Sequence, residues 1–216
     1  MHAGFPQFTS NLVRVMQTGA GADDTLRPFL SKTGGKLLAN SMALLIELGF
    51  TFIMRDSLLG VQQAKHASRF FEDNFVFIDP LNAEGKRYYQ GKFLIRTRRP
   101  GDDMNVYFCF CPQPDQLFIQ MPWGKCLDPK QVVTTEVLTE SEADQLQNNP
   151  DKVDLVIQFK DVDAITGLIG RPDADIVGLL LESLVQLKGN VGHLFKLGAI
   201  GTNVQLELDA ALQLKH

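Results

Sequence analysis

His193, three cysteines and a scatter of carboxylates are the side chains in these 216 residues with the potential for chemistry. A histidine works as a general base when a second group orients it and a substrate lies within hydrogen-bond reach. VGHLFKLG, the stretch around His193, contains no nearby carboxylate, so it reads as a packing or tunnel-mouth residue ahead of a catalyst. His66 falls on the polar face of an amphipathic helical stretch and reads as solvated. Cys109, Cys111 and Cys126 cannot all pair within one chain and lack the paired spacing of a zinc site. Cys109 and Cys111 alternate with aromatic residues, as packed thiols sharing one strand face do. Asp161, Asp163, Asp173 and Asp175 precede helical stretches, where capping and the helix dipole explain them better than a cation site does.

Familiar catalytic motifs fail on spacing. TGGKLL (33 to 38) lacks the upstream glycine of a phosphate loop and the Ser or Thr that would follow its lysine, so a turn into a helix is expected. No GxSxG elbow is present. Without a nucleophile, a base and an orienting group, the expectation is a protein that is not an enzyme and needs no cofactor or metal.

The bulk properties narrow the class. A 44% hydrophobic content over this length supports a substantial core. A net charge of −4 with thinly spread basic residues leaves no footprint for nucleic acid. Residues 1 to 20 lack a continuous apolar run, and the unpaired cysteines suit a reducing compartment, so a cytoplasmic location is expected. Residues 37 to 54 are strongly apolar, yet Asn40, Ser41 and Glu47 interrupt them, which predicts a buried or interfacial helix rather than a bilayer span.

These residues must be positioned by a helical part followed by a sheet. Apolar residues recur at helical spacing from Lys36 to Phe50, and a second helix is expected from a Ser57 cap through Asn74. KFLIRTR (92 to 98), MNVYFCFC (104 to 111) and QLFIQM (116 to 121) read as an antiparallel meander that is apolar on both faces, so each face needs a cover. A polar surface insertion follows, with a capping box at Thr139 and Glu142. VDLVIQF (153 to 159) resumes the sheet, Asp161 caps a short helix, DIVGLLLESL is a second helix, and VQLKG is a last strand. After the break at Gly189 and Asn190 comes an apolar segment, then a separate helix start at Thr202. The surplus apolar surface of the later helices either packs on another layer, forms a subunit interface or lines a cavity.

The order of elements, and above all FKDVDAITGLIGRPDADIVGLLLESLVQLKGNVGHLFKLGAI with its Lys-Gly-Asn ending, resembles the sterol carrier protein 2-like lipid-binding domain. The resemblance divides the chain into an N-terminal helical extension (1 to 84) and a lipid-binding domain (85 to 216). It implies an α+β fold: a mainly antiparallel five-stranded sheet covered by helices around a hydrophobic tunnel. The implied function is non-enzymatic binding and transfer or presentation of a fatty acid, acyl-CoA or sterol-like ligand. The implied lining is Phe93, Ile95, Phe108, Phe110, Leu117, Ile119 and Ile157 from the strands, with Ile176, Leu180, Leu184, Leu194, Phe195 and Leu197 from the helices. Lys188 or Lys196 could hold a carboxylate or phosphate head group at a tunnel mouth, with a solvated surface lysine the equal alternative. Expected partners are the lipid, transiently a membrane surface, and either a second copy or an enzyme that receives the ligand.

Overall fold

The computed structural model describes residues 34–58, 65–169 and 182–213. Helix α1 (Gly35–Met54) runs into a 3-10 turn (Arg55–Leu58), and α2 (Lys65–Phe75) leads into the hairpin of β1 (Val76–Ile78) and β2 (Lys86–Tyr88). Strands β3 (Lys92–Thr97) and β4 (Asn105–Phe110) follow, then a small hairpin of β5 (Phe118–Met121) and β6 (Gly124–Leu127), and β7 (Val133–Val137). Helix α3 (Glu140–Gln147), β8 (Leu155–Phe159), α4 (Val162–Ile169), β9 (Val185–Gly189) and the long α5 (Val191–Gln213) complete the described chain.

Five strands form the main sheet in the order β7-β4-β3-β8-β9. The sheet is mixed rather than purely antiparallel, because β8 pairs parallel to β3 while every other neighbour is antiparallel. A parallel pair requires a crossover, and here the chain leaves β7, crosses one face as α3 and re-enters beside β3. A central parallel strand is buried on both sides, which explains the unbroken run Leu155, Val156 and Ile157.

The third strand of the sheet differs from the expected one. QLFIQM does not join it; β5 pairs only with β6 in a separate two-stranded unit. The edge strand is β7, VTTEV, drawn from the segment expected to be a surface insertion. Its polar residues suit an edge: Thr134 and Glu136 alternate with Val133 and Val137, and only one face needs to be apolar.

Both faces of the sheet are covered. One carries Phe93, Ile95, Val106, Phe108, Phe110, Leu155, Ile157 and Phe159 into a large cluster with Leu38, Ile46 and Phe50 of α1, Phe70, Phe71 and Phe75 of α2, and Leu194, Leu197 and Ile200 of α5. The described residues of the first 84 thus share their core with the sheet. On the other face Leu94 and Val156 pack with Leu138, Ala143 and Val153 beneath α3. That helix starts at the expected capping box: the Thr139 side chain accepts from the Glu142 backbone, and the Glu142 carboxylate accepts from Thr139. Those bonds hold the Glu142 carboxyl below its ordinary range. Buried Arg96 ties α3 to the sheet through Glu140 at 2.8 Å and Asp144 at 2.7 Å, both charge-assisted.

Three local expectations change. The Ser57 hydroxyl, read as a helix cap, donates to the Leu127 carbonyl at 2.9 Å and so pins the turn after α1 to β6; residues 59–64, which a cap would meet, lie outside the described residues. Thr202 starts no new helix, since α5 is continuous and the Thr202 hydroxyl donates to the Gly198 carbonyl within it. The helix read over DIVGLLLESL lies outside the described residues, apart from its last three positions, where Leu184 is half-buried. Helix α1 with its following turn is long and apolar enough to cross a membrane by length and composition. Here it lies on the sheet, with Glu47 accepting from the Thr135 hydroxyl at 2.7 Å, while Leu37, Leu44, Leu48 and Phe52 remain exposed.

Cys109 stays on the α3 side of the sheet, but Cys111 does not share its face. A φ of 44° at Cys111 ends the alternation and turns its thiol into the large cluster. Burial pushes the Cys109 thiol up to about 11 and the Cys111 thiol up to about 12, so both stay protonated and unreactive near neutrality. Native protein treated with iodoacetamide at pH 8 is expected to show neither residue alkylated by peptide mass spectrometry, and both alkylated in guanidinium. Labelling of either in the folded state contradicts this packing.

Candidate functional site

The break at Gly189 and Asn190 aims His193. Gly189 has a φ of 117°, and a Cβ there would collide with the Asp154 carbonyl, so only glycine lets β9 close this tightly on β8. The Asn190 amide then donates to the same Asp154 carbonyl at 2.9 Å. Asn190 in turn opens α5: its Oδ1 accepts from Gly192 at 2.8 Å and its carbonyl accepts from the His193 amide at 3.0 Å. The side chain of His193 is thereby fixed two residues into the helix.

The partner missing from the local sequence comes from 104 residues away. The Tyr89 hydroxyl lies 2.8 Å from His193 Nδ1, and the two rings stack at 5.7 Å and 24°. Burial, followed by the nearby Asp154 carboxylate, raises the Tyr89 phenol well above its ordinary value. The phenol therefore stays protonated; with its hydroxyl donating to Nδ1, the ring would carry its proton on Nε2. Gly91 makes room for this pair, because a Cβ there would sit 2.5 Å from the Tyr89 hydroxyl oxygen. The Gly91 carbonyl also accepts from Phe110 at 3.0 Å, fixing the backbone that passes beneath the ring.

Lys196 stands one helical turn beyond His193. Its ammonium is 5.3 Å from the Phe77 ring centre and 5.8 Å from that of Tyr89, and burial lowers its pKa. Among the described residues no carboxylate lies within 4.0 Å of it.

Tyr89 and His193 line a cleft of about 780 Å³ between the β1–β2 hairpin and the β5–β6 hairpin. Its rim carries Glu84, Lys86, Arg87, Asp115 and Lys125, and its floor Tyr88, Tyr89 and Phe118. Arg87 lies over Phe77 at 5.6 Å and Lys125 over Phe118 at 5.2 Å. The floor is also the outer surface of the main core: Tyr89 meets Phe110 at 6.0 Å, Tyr88 meets Phe71 at 5.9 Å, and Phe118 meets Phe71 at 6.2 Å. The lining also includes Asn82, Gln90, Asp154 and His193, so polar side chains stand among the rings between the charged rim and the aromatic core.

The expected lining divides into four groups. Phe93, Ile95, Phe108, Phe110, Leu117, Ile157, Leu194 and Leu197 lie together in the buried cluster, with Leu184 half-buried against it. Phe93 and Phe108 stack at 4.8 Å. Ile119 belongs to the separate β5–β6 unit and is half-buried. Phe195 is 67% exposed, because the helical phase that buries Leu194, Leu197 and Ile200 turns position 195 outward. Ile176 and Leu180 lie outside the described residues. Of the two candidate head-group lysines, Lys196 is not itself a lining residue but lies over Phe77 and Tyr89, which are, whereas Lys188 donates to Asn148 Oδ1 at 2.9 Å on the α3 side of the sheet.

Tyr89, Phe77, Phe118, Lys125 and Asp154 did not stand out from sequence. The only local signal is KRYYQGK, two aromatic residues before a glycine, which marks a turn without naming a partner. Of the acidic set, Asp161 does cap α4, accepting from Ala164 at 2.8 Å, and Asp173 and Asp175 lie outside the described residues.

Fold and cleft together define an α+β protein with a mixed five-stranded sheet, helices on both faces and a charged cleft opening on its aromatic core. Comparison with known proteins finds no matching family model, no matching curated protein and no matching solved structure.

Two predictions follow from this geometry. Gly189→Ala is expected to lose about 1–3 kcal/mol in denaturant melts, from the positive φ and the clash with Asp154; an unchanged midpoint contradicts the tight closure. Long-range ¹H–¹⁵N spectra of the imidazole are expected to show the Nε2–H form of His193 in the native protein. Tyr89→Phe and Gly91→Ala should each produce a tautomer mixture, and an unaltered spectrum in both would refute the hydrogen bond.

Proposed function

We propose that this protein binds an amphipathic lipid, with its polar head at the cleft and its chain against the aromatic core, and transfers or presents it without chemical change. The observation that carries this reading is the continuity between rim and core at Tyr88, Tyr89 and Phe118. A purely polar ligand would gain nothing from such a floor. The order of elements adds support: a strand, a helix, a further strand and an apolar helix after Lys188, Gly189 and Asn190 follow the three antiparallel strands, as the resemblance to sterol carrier protein 2-like domains implies. An acyl chain entering past Tyr89 would meet Phe110 and Phe93 first and need a tunnel along the face covered by α5.

Burial of a methylene contributes about 0.8 kcal/mol, so a long chain supplies on the order of 10 kcal/mol before association costs are set against it. A bilayer offers the chain the same apolar environment, which makes exchange between membrane and protein close to neutral. Loading and unloading then need only contact with the membrane. Ile78 and Leu81 on the β1–β2 hairpin and Trp123 on the β5–β6 hairpin are exposed apolar residues beside the cleft, suited to brief interfacial contact.

A second reading has its own observation. The exposed stripe of Leu37, Leu44, Leu48 and Phe52 on α1 favours an assembly subunit that presents its ligand to a partner enzyme or a second copy. Sedimentation of the native chain and of a Leu44→Glu, Leu48→Glu variant separates the two, since self-association lost in the variant supports an interface.

Native mass spectrometry after gentle purification is expected to show an adduct in the mass range of a fatty acid or larger lipid, released by organic extraction. A protein that repeatedly carries no lipid and takes up no fluorescent fatty acid refutes the proposal.

A further inference from the structure

We infer that the lipid bound at this cleft carries an anionic oxygen head group, a carboxylate or a phosphate ester, held by Lys196 and by the Nε2–H of His193. This rests on the lipid-binding reading above and specifies its ligand. Lys196 supplies the first contact. Its ammonium is half-buried, has given up part of its hydration, and lies over the rings of Phe77 and Tyr89 with no carboxylate within 4.0 Å among the described residues. A cation in that position is only partly compensated by ring faces, and an incoming anion completes it.

His193 supplies the second contact. The Tyr89 hydroxyl sits at Nδ1, so Nε2 is the ring atom left for a ligand; when Tyr89 donates, Nε2 carries a proton that an acceptor can take. An acceptor head group satisfies it, whereas an ammonium head group leaves it facing another donor. Tyr89 thus acts as a positioning residue: it sets the tautomer and orients the ring, while Lys196 and His193 touch the head group.

Acidic groups around the cleft do not reverse the sign. Asp154 Oδ2 already accepts from the Lys92 amide at 2.8 Å, and Asp79 pairs with Arg87 at 3.9 Å. Glu84 and Asp115 lie on the rim, and no ion pair joins either to Lys125 or Lys196. Lys125 and Arg87, each on a ring, add positive potential around the entrance.

Four twelve-carbon probes test this: laurate, dodecyl phosphate, 1-dodecanol and dodecylammonium, each competing with a fluorescent fatty acid below its micelle concentration. Laurate or dodecyl phosphate is expected to bind at least tenfold more tightly than dodecanol, with dodecylammonium weakest; the better of the two anions names the source of the head group. Lys196→Met should erase the preference for the anion, bringing laurate and dodecyl phosphate to the same affinity as dodecanol. Lys196→Arg should restore it. Equal binding of laurate, dodecyl phosphate and dodecanol by the native protein overturns the anionic head group but leaves lipid binding intact. Failure of all four probes overturns both. A preference that survives Lys196→Met, in a variant that melts as the native protein does, overturns the assignment to Lys196.

Discussion

Asp154 is the point on which the sheet and the cleft both depend. Its backbone amide donates to Lys92, its carboxylate accepts from the Lys92 amide, and its carbonyl accepts from Asn190. One residue thereby fixes the start of β3 against the start of β8, closes β9 on β8 and sets where α5 begins. The carboxylate also contributes to raising the Tyr89 phenol, which keeps the hydroxyl protonated beside His193. Gly189 is the steric counterpart, since nothing larger fits against the Asp154 carbonyl. The Lys-Gly-Asn turn is thus a device for bringing a helix and its histidine to a tyrosine on the far side of the sequence.

A sheet apolar on both faces needs two covers, and the two differ in kind. The α3 side is small and held by the Arg96 pairs with Glu140 and Asp144. The other side is broad and aromatic, with Phe50, Phe71, Phe75, Phe93, Phe108 and Phe110 in mutual contact at edge, tilted and stacked geometries. Aromatic packing of this sort is worth more than its buried area alone. At the cleft the same cluster reaches the surface, and its rings meet cations as well as polar side chains. Ring faces stabilise the lysines and the arginine, and the lysines leave positive potential at the mouth of an apolar interior.

Sequence reading reached what short-range physics decides. Thr139 and Glu142 three positions apart form the capping box, Asp161 caps its helix, and VDLVIQF supplies a strand of the sheet. It did not reach what depends on partners distant in the chain. The parallel pairing of β8 with β3 has no local mark, and β7 hides among threonines because an edge strand needs only alternate apolar residues. Ser57 looks like a cap from its neighbours, yet its hydroxyl serves Leu127. The resemblance groups Phe195 with Leu194 and Leu197, whereas helical phase separates them. His193 was rightly seen to lack a carboxylate partner nearby, and its tyrosine partner lies too far along the chain for spacing to reveal.

The central claim is that one ligand spans the charged rim and the aromatic core, and intermolecular NOEs from carbon-13-labelled laurate to the protein test it most directly. The account predicts that protons on the carbons nearest the carboxylate contact the rings of Tyr89 and His193 while the terminal methyl contacts Phe93, Phe108 or Phe110. Contacts confined to the exposed stripe of α1, or a chain end that never reaches those phenylalanines, would contradict it.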